Sequence, residues 1–206
     1  MKDYKELSRK TFDQQAETYD TTYYGKHART LYGPICDEVK KLEFTALLDV
    51  GCGTGQLMRE IRTFCNAWLF GIDLSTEMVK IANEQMDERM AIQTGDAEYL
   101  PYANGSMDVV ICNDSFHHYP NPKEVLNEMY CVLRKGGTLL LGESRLPAPF
   151  RILMNLFMRF NQEGDVKLYS KKELCELLDR AGFQDITYIR LKNHGCIIKA
   201  KRGIEE

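Results

Sequence analysis

The sequence has no excess of basic residues: 27 lysines and arginines stand against 30 aspartates and glutamates, a formal net charge of −3. Proteins that bind nucleic acids usually carry a basic face. Apart from a small cluster at Lys199, Lys201 and Arg202, nothing in the composition favours such a partner. No apolar run approaches the roughly 18 residues of a membrane-spanning helix, and residues 1–6 lack the apolar core of a signal peptide. We therefore expect a cytoplasmic protein without a membrane span.

The cysteines also lack any paired or metal-type spacing, and their number, seven, is odd. This pattern favours free thiols in a reducing compartment and predicts no metal site. The sequence contains neither an internal repeat nor a low-complexity linker. With 206 residues, of which 44% are hydrophobic, it fits one domain that spans residues 1–206.

The most informative stretch is residues 47–57, where an apolar run ends in Asp49 and three glycines, Gly51, Gly53 and Gly55, alternate with small residues. Glycine permits a sharp turn and the close approach of a ligand. A strand that leads through such a turn into a helix binds nucleotide-like cofactors. The loop is tighter than the dinucleotide pattern G-x-G-x-x-G, and Asp49 would repel a phosphate and attract an amine. A cofactor with a cationic amino group and no phosphate therefore fits this loop better than a nicotinamide dinucleotide does.

Short apolar runs alternate with amphipathic segments along the chain. This alternation predicts βαβ units and a parallel sheet covered by helices on both faces. The predicted strands are 46–50, 68–72, 90–93, 107–112 and 137–142, and the predicted helices are 34–44, 55–64, 76–85, 122–133 and 170–180.

The last part of the chain has a different pattern. Residues 186–192 and 196–201 are β-like and are separated by Asn193-His194-Gly195, which predicts a hairpin at the edge of the sheet. Residues 170–173 form a capping-box pattern that opens the last helix, and Gly182 is placed to end it.

The segment Asp-Val-Gly-Cys-Gly-Thr-Gly at 49–55 resembles the first motif of class I S-adenosylmethionine-dependent methyltransferases, and Leu-Arg-Lys-Gly-Gly at 133–137 resembles their approach to the fifth strand. The resemblance covers most of 10–145, and the hairpin extends it to 201. It implies a doubly wound, mostly parallel, seven-stranded Rossmann-like α/β sheet with an antiparallel C-terminal hairpin strand. It implies S-adenosylmethionine as the cofactor, S-adenosylhomocysteine as the product, and a glycine loop formed by Asp49, Gly51, Cys52, Gly53 and Gly55.

Two further acids are candidates for the cofactor site. Asp73 ends an apolar run 18 residues after Gly55, close to the spacing of a ribose-binding acid; alternatively it caps the next helix, a role that Ser75 could fill. For Asp96 the resemblance implies acceptance from the adenine amino group, with the Ala97 backbone N–H donating to the ring; the alternative is an Asx turn. The neighbouring Gly95, Leu74 and Met78 complete the predicted adenosine site, although Leu74 and Met78 could equally be core residues.

Asn113 and Asp114 end the fourth predicted strand, where ligands of open α/β sheets bind. The resemblance places Asn113 near the methionine portion of the cofactor; alternatively it is a simple strand cap. His117 and His118 follow directly and are candidates for a general base. Alternatively, one of the two rings packs in the core and the other is exposed to solvent. Two adjacent histidines are only a weak indication of a metal site.

Two segments are candidates for the acceptor side. Residues 12–20 resemble the opening of ubiquinone/menaquinone-type methyltransferases, which implies that residues 1–33 form a lid and that Tyr19 closes over the cofactor; a docked surface helix is compatible with this. Residues 146–169 are expected to form a substrate cap, since 146–160 is unusually apolar. Such a cap implies a small, apolar or aromatic acceptor. The alternative is a helix packed on the sheet or on a partner in a homodimer.

The cofactor's methyl group is already activated, so placement of the acceptor alone supplies much of the catalysis, and no catalytic residue is required by the sequence. The sequence therefore predicts methyl transfer to a small-molecule acceptor by a monomer or homodimer. A tRNA or protein methyltransferase, and a module that binds S-adenosylmethionine without turnover, are the alternatives. The acceptor itself cannot be identified from the sequence.

Overall fold

A computed structural model of the protein describes residues 3–158, 160–161, 163–192 and 194–204. Seven strands form one sheet in the order β3-β2-β1-β4-β5-β7-β6. The strands are β1 (Ala46–Val50), β2 (Trp68–Asp73), β3 (Met90–Thr94), β4 (Met107–Asn113), β5 (Leu133–Ser144), β6 (Phe183–Arg190) and β7 (Gly195–Arg202). The first five strands pair in parallel, and β7 is antiparallel to both β5 and β6. The predicted fold class is therefore confirmed.

The helices connect the strands and cover the sheet. They are α1 (Tyr4–Gln15), α2 (Tyr23–Arg29), α3 (Tyr32–Val39), α4 (Gln56–Arg62), α5 (Thr76–Asn83), α6 (Pro122–Val132), α7 (Ala148–Met158) and α8 (Lys171–Arg180), with short 3₁₀ turns at Tyr19–Thr21 and Phe116–His118. Among the described residues, none of the helices combines the length and apolarity needed to cross a bilayer.

Two apolar layers flank the sheet, because successive side chains of a strand point to opposite faces. Leu47, Val109 and Leu140 belong to the layer that includes α3 and α4 residues. Their sequence neighbours, such as Leu48 and Val110, belong to the other layer, which is packed against α6 and α8. Double coverage explains why the central strands are continuous apolar runs.

Several boundaries differ from the predictions. Helix α3 begins at Tyr32 and ends at Val39, where the sequence pattern predicted 34–44. Strand β5 begins at Leu133 instead of residue 137, because Met107 pairs with Leu133 and the register then shifts so that Val109 pairs with Thr138. Gly136, at φ +76°, lies within this irregularity.

The end of the chain follows the predicted pattern. Ser170 Oγ accepts the Glu173 backbone N–H at 3.2 Å, and Glu173 Oε2 accepts the Ser170 N–H at 2.8 Å, which completes the capping box. Gly182 adopts φ +89° just after α8. The hairpin joins β6 to β7; of its predicted turn, Asn193 lies outside the described residues.

Helix α7 presents most of its apolar side chains to the surface. Phe150, Ile152, Leu153 and Phe157 are all more than half exposed, and Met158 is its buried residue. The predicted cap segment, 146–169, is therefore helical at 148–158. Met154 and Met158 of this helix face a cavity, as do Leu146 before it and Leu168 after it.

Candidate functional site

The glycine loop connects β1 to α4 and borders a cleft at the carboxyl ends of the parallel strands. Gly51, Gly53 and Gly55 have φ values of +74°, +54° and +73°, a region that favours glycine. A Cβ on Gly51 would overlap the Ser115 hydroxyl, whereas a Cβ on Gly53 would meet nothing within 4 Å. Gly53 therefore borders open space, the glycine-loop cleft, in which a ligand can approach the backbone.

Every residue predicted for the cofactor lines this cleft or a small pocket beneath the loop, with Gly55 as the exception. A Cβ on Gly55 would lie 2.9 Å from Ile92 Cδ1, so this glycine faces the core. Its role is to begin α4 in a left-handed conformation, not to line the cleft. The cleft is lined by Tyr19, Gly51, Gly53, Asp73, Leu74, Met78, Gly95, Asp96, Ala97 and Asn113, and the small pocket by Asp49 and Cys52 among others.

Asp73 lies at the end of β2 and holds the loop in place. Its Oδ2 accepts the Gly53 N–H at 2.8 Å and its Oδ1 accepts the Ser75 N–H at 2.9 Å. Burial raises the pKa of Asp73. The helix cap is Ser75, whose hydroxyl accepts the Met78 N–H at 3.1 Å. Asp73 is thus free of the capping role and presents its carboxylate to the cleft.

Asp49 is a buried carboxyl group beneath the loop, with 2% of its surface exposed. Its Oδ1 has no hydrogen-bond partner among the described residues. Burial, reinforced by the nearby Asp73 carboxylate, raises the pKa of Asp49 to about 7. A buried carboxylate without a donor favours a cationic ligand, since a positive group would offset its desolvation.

Asp96, after β3, makes the Asx turn that the sequence left as an alternative. Its Oδ1 accepts the Glu98 N–H at 3.0 Å, and its Oδ2 accepts a hydrogen bond from Lys5 Nζ at 2.7 Å. Lys5 also contacts Glu98 at 2.7 Å. Asp96 therefore connects the cleft to the N-terminal helix.

The N-terminal segment lies across the cleft and is attached at three points. Besides the Lys5 contact, Ser75 Oγ donates to Asp13 Oδ1 at 2.7 Å and Thr54 Oγ1 donates to Asp20 Oδ1 at 2.9 Å. These bonds reach the loops after β3, β2 and β1 in turn. The rings of Phe12 and Tyr19 pack edge to face on the inner side, with centroids 6.0 Å apart.

A second cavity of about 500 Å³ adjoins the cleft on the side of α2 and α7. This volume lies within the range of small-molecule pockets. Four residues line both spaces: Phe12, Tyr19, Asp114 and His118. They mark the junction at which ligands in the two spaces would meet.

Asp114 sits at this junction in a left-handed conformation, with φ +52°. Its Oδ2 lies 3.0 Å from His27 Nδ1, and its Oδ1 accepts a hydrogen bond from Ser144 Oγ at 3.3 Å. The bond to Asp114 raises the pKa of His27. Burial would raise the pKa of Asp114, but its contacts with His27 and the nearby His117 outweigh this and lower it.

His117 and His118 differ in their surroundings. Burial alone would lower the pKa of His117, but Glu143, 3.0 Å from its Nδ1, outweighs burial and raises that pKa to about 10. Burial, with the charge of His117 adding, lowers the pKa of His118. At neutral pH His117 is therefore an imidazolium paired with Glu143. The neutral His118, which lies at the junction, is the better placed of the two predicted bases.

Several residues of the site carry no local sequence signal. They come from α1, α2, the carboxyl end of β5 and the loop after α7, and their meeting depends on the tertiary fold. Glu143 alone could have been found, because it ends the strand next to β4 and so lies at the ligand-binding edge. These residues are Lys5, His27, Glu143 and Asp165, whereas Asp13 and Asp20 belong to the segment 12–20 whose family resemblance the sequence showed.

Residues 48–141 match a methyltransferase domain family. The chain is 38% identical over 109 residues to the 27-O-demethylrifamycin SV methyltransferase of Amycolatopsis mediterranei, which covers 50% of this chain and 40% of that protein. It is 29% identical over 171 residues to the demethylmenaquinone methyltransferase of Listeria welshimeri, which covers 70% of this chain and 72% of that protein. The chain spans about half or less of the length of several curated relatives that it matches.

A similar fold occurs in a methyltransferase solved in complex with the Trm112 methyltransferase activator of Haloferax volcanii. The TM-score is 0.81 at 19% identity, over 97% of this chain and 99% of that one. The matching domain, the sequence relatives and the seven-stranded fold agree with the glycine-loop motif and its spacing. Residues 48–141 therefore form a methyltransferase domain, and the chain has the glycine-loop motif and the seven-stranded fold of the class I S-adenosylmethionine-dependent methyltransferases.

Proposed function

We propose that this protein transfers the methyl group of S-adenosylmethionine to a small molecule held in the second cavity and releases S-adenosylhomocysteine. The observation that carries this proposal is the junction formed by Phe12, Tyr19, Asp114 and His118, which line both spaces. A methyl group at the end of the cleft and an acceptor in the cavity would meet there. Direct displacement requires this contact and the exclusion of water.

The cofactor would lie with its adenosine between β2 and β3. In this arrangement Asp73 accepts the ribose hydroxyls, Asp96 and Ala97 bind the adenine edge, and Leu74 and Met78 contact its faces. Lys5 already occupies one oxygen of Asp96, so the adenine amino group would share that carboxylate or displace Lys5.

The methionine portion would lie over Gly51 and Gly53, and the missing side chain of Gly53 leaves room for it. Its ammonium group would approach Asp49, which has an unpartnered buried oxygen. Asn113 lines the same end of the cleft. This placement directs the sulfonium methyl group toward Asp114 and His118.

The walls of the second cavity indicate the acceptor. Met154, Met158 and Leu168 form an apolar side, and Tyr23 and Tyr24 add aromatic surface. The opposite side carries the histidines and carboxylates of the junction. An apolar or aromatic small molecule with one polar group at the methylated position fits both sides. The neutral His118 is placed to take a proton from that group when it is a hydroxyl.

Calorimetric titration with S-adenosylmethionine and S-adenosylhomocysteine tests the cofactor, with NAD as the negative ligand. Asp73→Ala should abolish micromolar binding, while Glu84→Ala, an exposed acid at the end of α5, should retain it. Failure of wild type to bind either compound would refute the proposal.

A screen of small acceptors for release of S-adenosylhomocysteine then tests the transfer. Cofactor binding without turnover on any acceptor would favour a module that binds without catalysis. Turnover on tRNA, with a steep dependence on salt, would favour the nucleic-acid alternative.

A further inference from the structure

The second cavity contains a cluster of three side chains, two of which, His117 and Asp165, have no role in the methyl transfer described above. The third, His118, would act here as a ligand in place of the base role given to it there. His117, His118 and Asp165 each present one potential ligand atom to it, and these three atoms lie within 4.8 Å of one another. His118 Nδ1 lies 3.2 Å and His117 Nε2 lies 3.9 Å from Asp165 Oδ1. Two bonds of roughly 2.0–2.1 Å from a tetrahedral ion would place ligand atoms about 3.3 Å apart. The His118–Asp165 distance already matches this value, and His117 would move closer to Asp165 when the ion binds.

We propose that His117 Nε2, His118 Nδ1 and Asp165 Oδ1 bind a divalent first-row transition-metal ion on the wall of the second cavity. Two imidazoles and one carboxylate suit zinc, iron, cobalt or nickel better than magnesium or calcium. Three protein ligands also leave coordination positions open, as in catalytic metal sites.

The surroundings of His117 support this assignment. Its Nδ1 lies 3.0 Å from Glu143 Oε2, and the other oxygen of Glu143 accepts the Phe116 N–H at 2.8 Å. A buried carboxylate that accepts from one ring nitrogen of a histidine fixes the orientation of the ring. Metal binding would displace the proton that the other nitrogen, Nε2, carries in the metal-free imidazolium, because an imidazole ligand must be neutral. Glu143 is 3% exposed and held by the backbone, so it provides this second-sphere contact.

His118 gives an independent indication. Its Nδ1 is buried, and although Asp165 is near, the two atoms lack the geometry of a hydrogen bond; the nitrogen has no such partner among the described residues. Unsatisfied buried polar atoms are uncommon and call for an explanation. An ion placed between the three ligand atoms would satisfy this nitrogen.

The backbone holds Asp165 against the two histidines. The N–H groups of Val166 and Lys167 both donate to the carbonyl oxygen of His117, at 2.9 and 3.1 Å. Asp165 Oδ2 accepts a hydrogen bond from Asn161 Nδ2 at 2.8 Å, which leaves Oδ1 directed toward the imidazoles. The cluster is therefore built by two segments that are tied together, and does not depend on chance contacts of surface side chains.

The role of such an ion rests on the proposed function. With its open positions facing the cavity, it would bind an acceptor through an oxygen or nitrogen atom and fix that acceptor beside the junction. The acceptor class would then be a small molecule with a coordinating hydroxyl, carbonyl or amine near the methylated atom. Metal binding itself can be measured without any acceptor.

The experiment is titration of the metal-free protein with Zn²⁺ by calorimetry and with Co²⁺ by absorption spectroscopy. We expect one equivalent to bind with micromolar or tighter affinity, without the ultraviolet bands of cobalt–thiolate coordination. Asp165→Asn and His118→Ala should each weaken binding at least tenfold. Glu163→Gln, a carboxylate of the same loop and cavity, should bind as wild type does. Glu143→Gln should weaken binding by about 10–100-fold, as loss of a second-sphere partner does.

Binding of S-adenosylmethionine by each variant, measured in parallel, shows that the variant is folded and keeps the two proposals separable. If the wild-type protein binds the metal ion but not S-adenosylmethionine, only the proposed function is refuted. Absence of a one-to-one complex, or equal affinity in Asp165→Asn, His118→Ala and wild type, would overturn the metal site.

Discussion

Thr54, in the glycine loop, donates a hydrogen bond to Asp20 Oδ1 at 2.9 Å and so ties the N-terminal segment to the loop that borders the cleft. The two residues are 34 positions apart in the sequence. Thr54 is 3% exposed, so the bond lies beneath the surface of the closed segment. The N-terminal segment can move away from the glycine loop only when this bond breaks.

Thr54→Val should therefore accelerate release of S-adenosylmethionine. Valine keeps the shape of threonine but cannot donate to Asp20, and a hydrogen bond to a charged group contributes about 1.5–3 kcal/mol. A loss of about 1.4 kcal/mol from the closed state corresponds to a tenfold change. We expect the dissociation rate, measured by stopped-flow displacement, to rise about tenfold.

Thr21→Val is the matched control, because the Thr21 hydroxyl donates at 2.8 Å to the Thr18 carbonyl within its own segment. Its dissociation rate should equal that of wild type. Equal rates for Thr54→Val and wild type would show that the N-terminal segment does not control release.

The cofactor side could be predicted from sequence because its signals are local. Asp49, Gly51 and Gly53 lie in one short stretch, and Asp73 and Asp96 each follow a strand at a recognisable spacing. The sequence did not separate Gly55, which begins α4 and faces Ile92, from the glycines that line the cleft or the pocket beneath it, because both kinds of glycine have the same sequence pattern.

Most of the acceptor side could not be predicted in this way. His27, Glu143 and Asp165 come from three separate segments, and no periodicity relates them to Asp114, which the end of a strand did indicate. Residues 146–169 were expected to form a substrate cap or a helix packed on the sheet or on a partner, and the apolar side chains of α7 within this segment are mostly exposed. Amphipathic spacing indicates which side chains share a face, but not what that face contacts.

Gly51→Ala and Gly53→Ala should separate stability from binding. A methyl group on Gly51 would overlap the Ser115 hydroxyl and lie 2.8 Å from Tyr119 Oη, at φ +74°. Left-handed strain and overpacking together should lower the free energy of unfolding by about 2–5 kcal/mol. A methyl group on Gly53 meets only open space. The free energy of unfolding should therefore fall by only about 1–2 kcal/mol, the cost of the left-handed conformation by itself.

Gly53→Ala should nevertheless bind S-adenosylmethionine at least tenfold more weakly, because its methyl group fills part of the cleft. Urea denaturation and calorimetry measure the two effects on the same preparations. Unimpaired binding by Gly53→Ala would place the ligand elsewhere than over this glycine.

The His27–Asp114 pair should make stability depend on pH. The folded protein holds the pKa of His27 above its unfolded value through Asp114, with Glu143 adding and His117 opposing. The stabilisation is therefore complete below about pH 6.5, the ordinary histidine pKa, and is lost as pH rises through the folded pKa. Between pH 6 and pH 8.5, the free energy of unfolding measured by urea denaturation should fall less steeply with pH in His27→Gln than in wild type.

His194→Gln is the comparison for this measurement, since His194 lines the same cavity and forms no ion pair with a carboxylate in the part of the chain that the structure describes. Its decline should match that of wild type. An equally steep decline in His27→Gln would assign the pH dependence to other groups.

Asp49 should make cofactor binding depend on pH in the opposite direction. Its pKa in the free protein is about 7 because it is buried beside Asp73. To pair with the ammonium group of the cofactor it must be ionised, and α-amino groups stay protonated below about pH 7.7. The affinity should therefore rise between pH 5.5 and 7, by up to about tenfold per pH unit. Calorimetry in buffers of different ionisation enthalpy should detect a proton released on binding near pH 6.5.

Asp49→Asn removes the titrating group while keeping the shape of the side chain. At pH 7.5 it should bind more weakly than wild type, and its affinity should change little between pH 5.5 and 7. Asp73 is buried as well, but two backbone N–H groups stabilise its charge, so it should contribute the smaller part of the dependence. If Asp49→Asn released the same number of protons as wild type, the ammonium group would have a partner other than Asp49. The proposed placement of the methionine portion over the glycine loop would then be wrong.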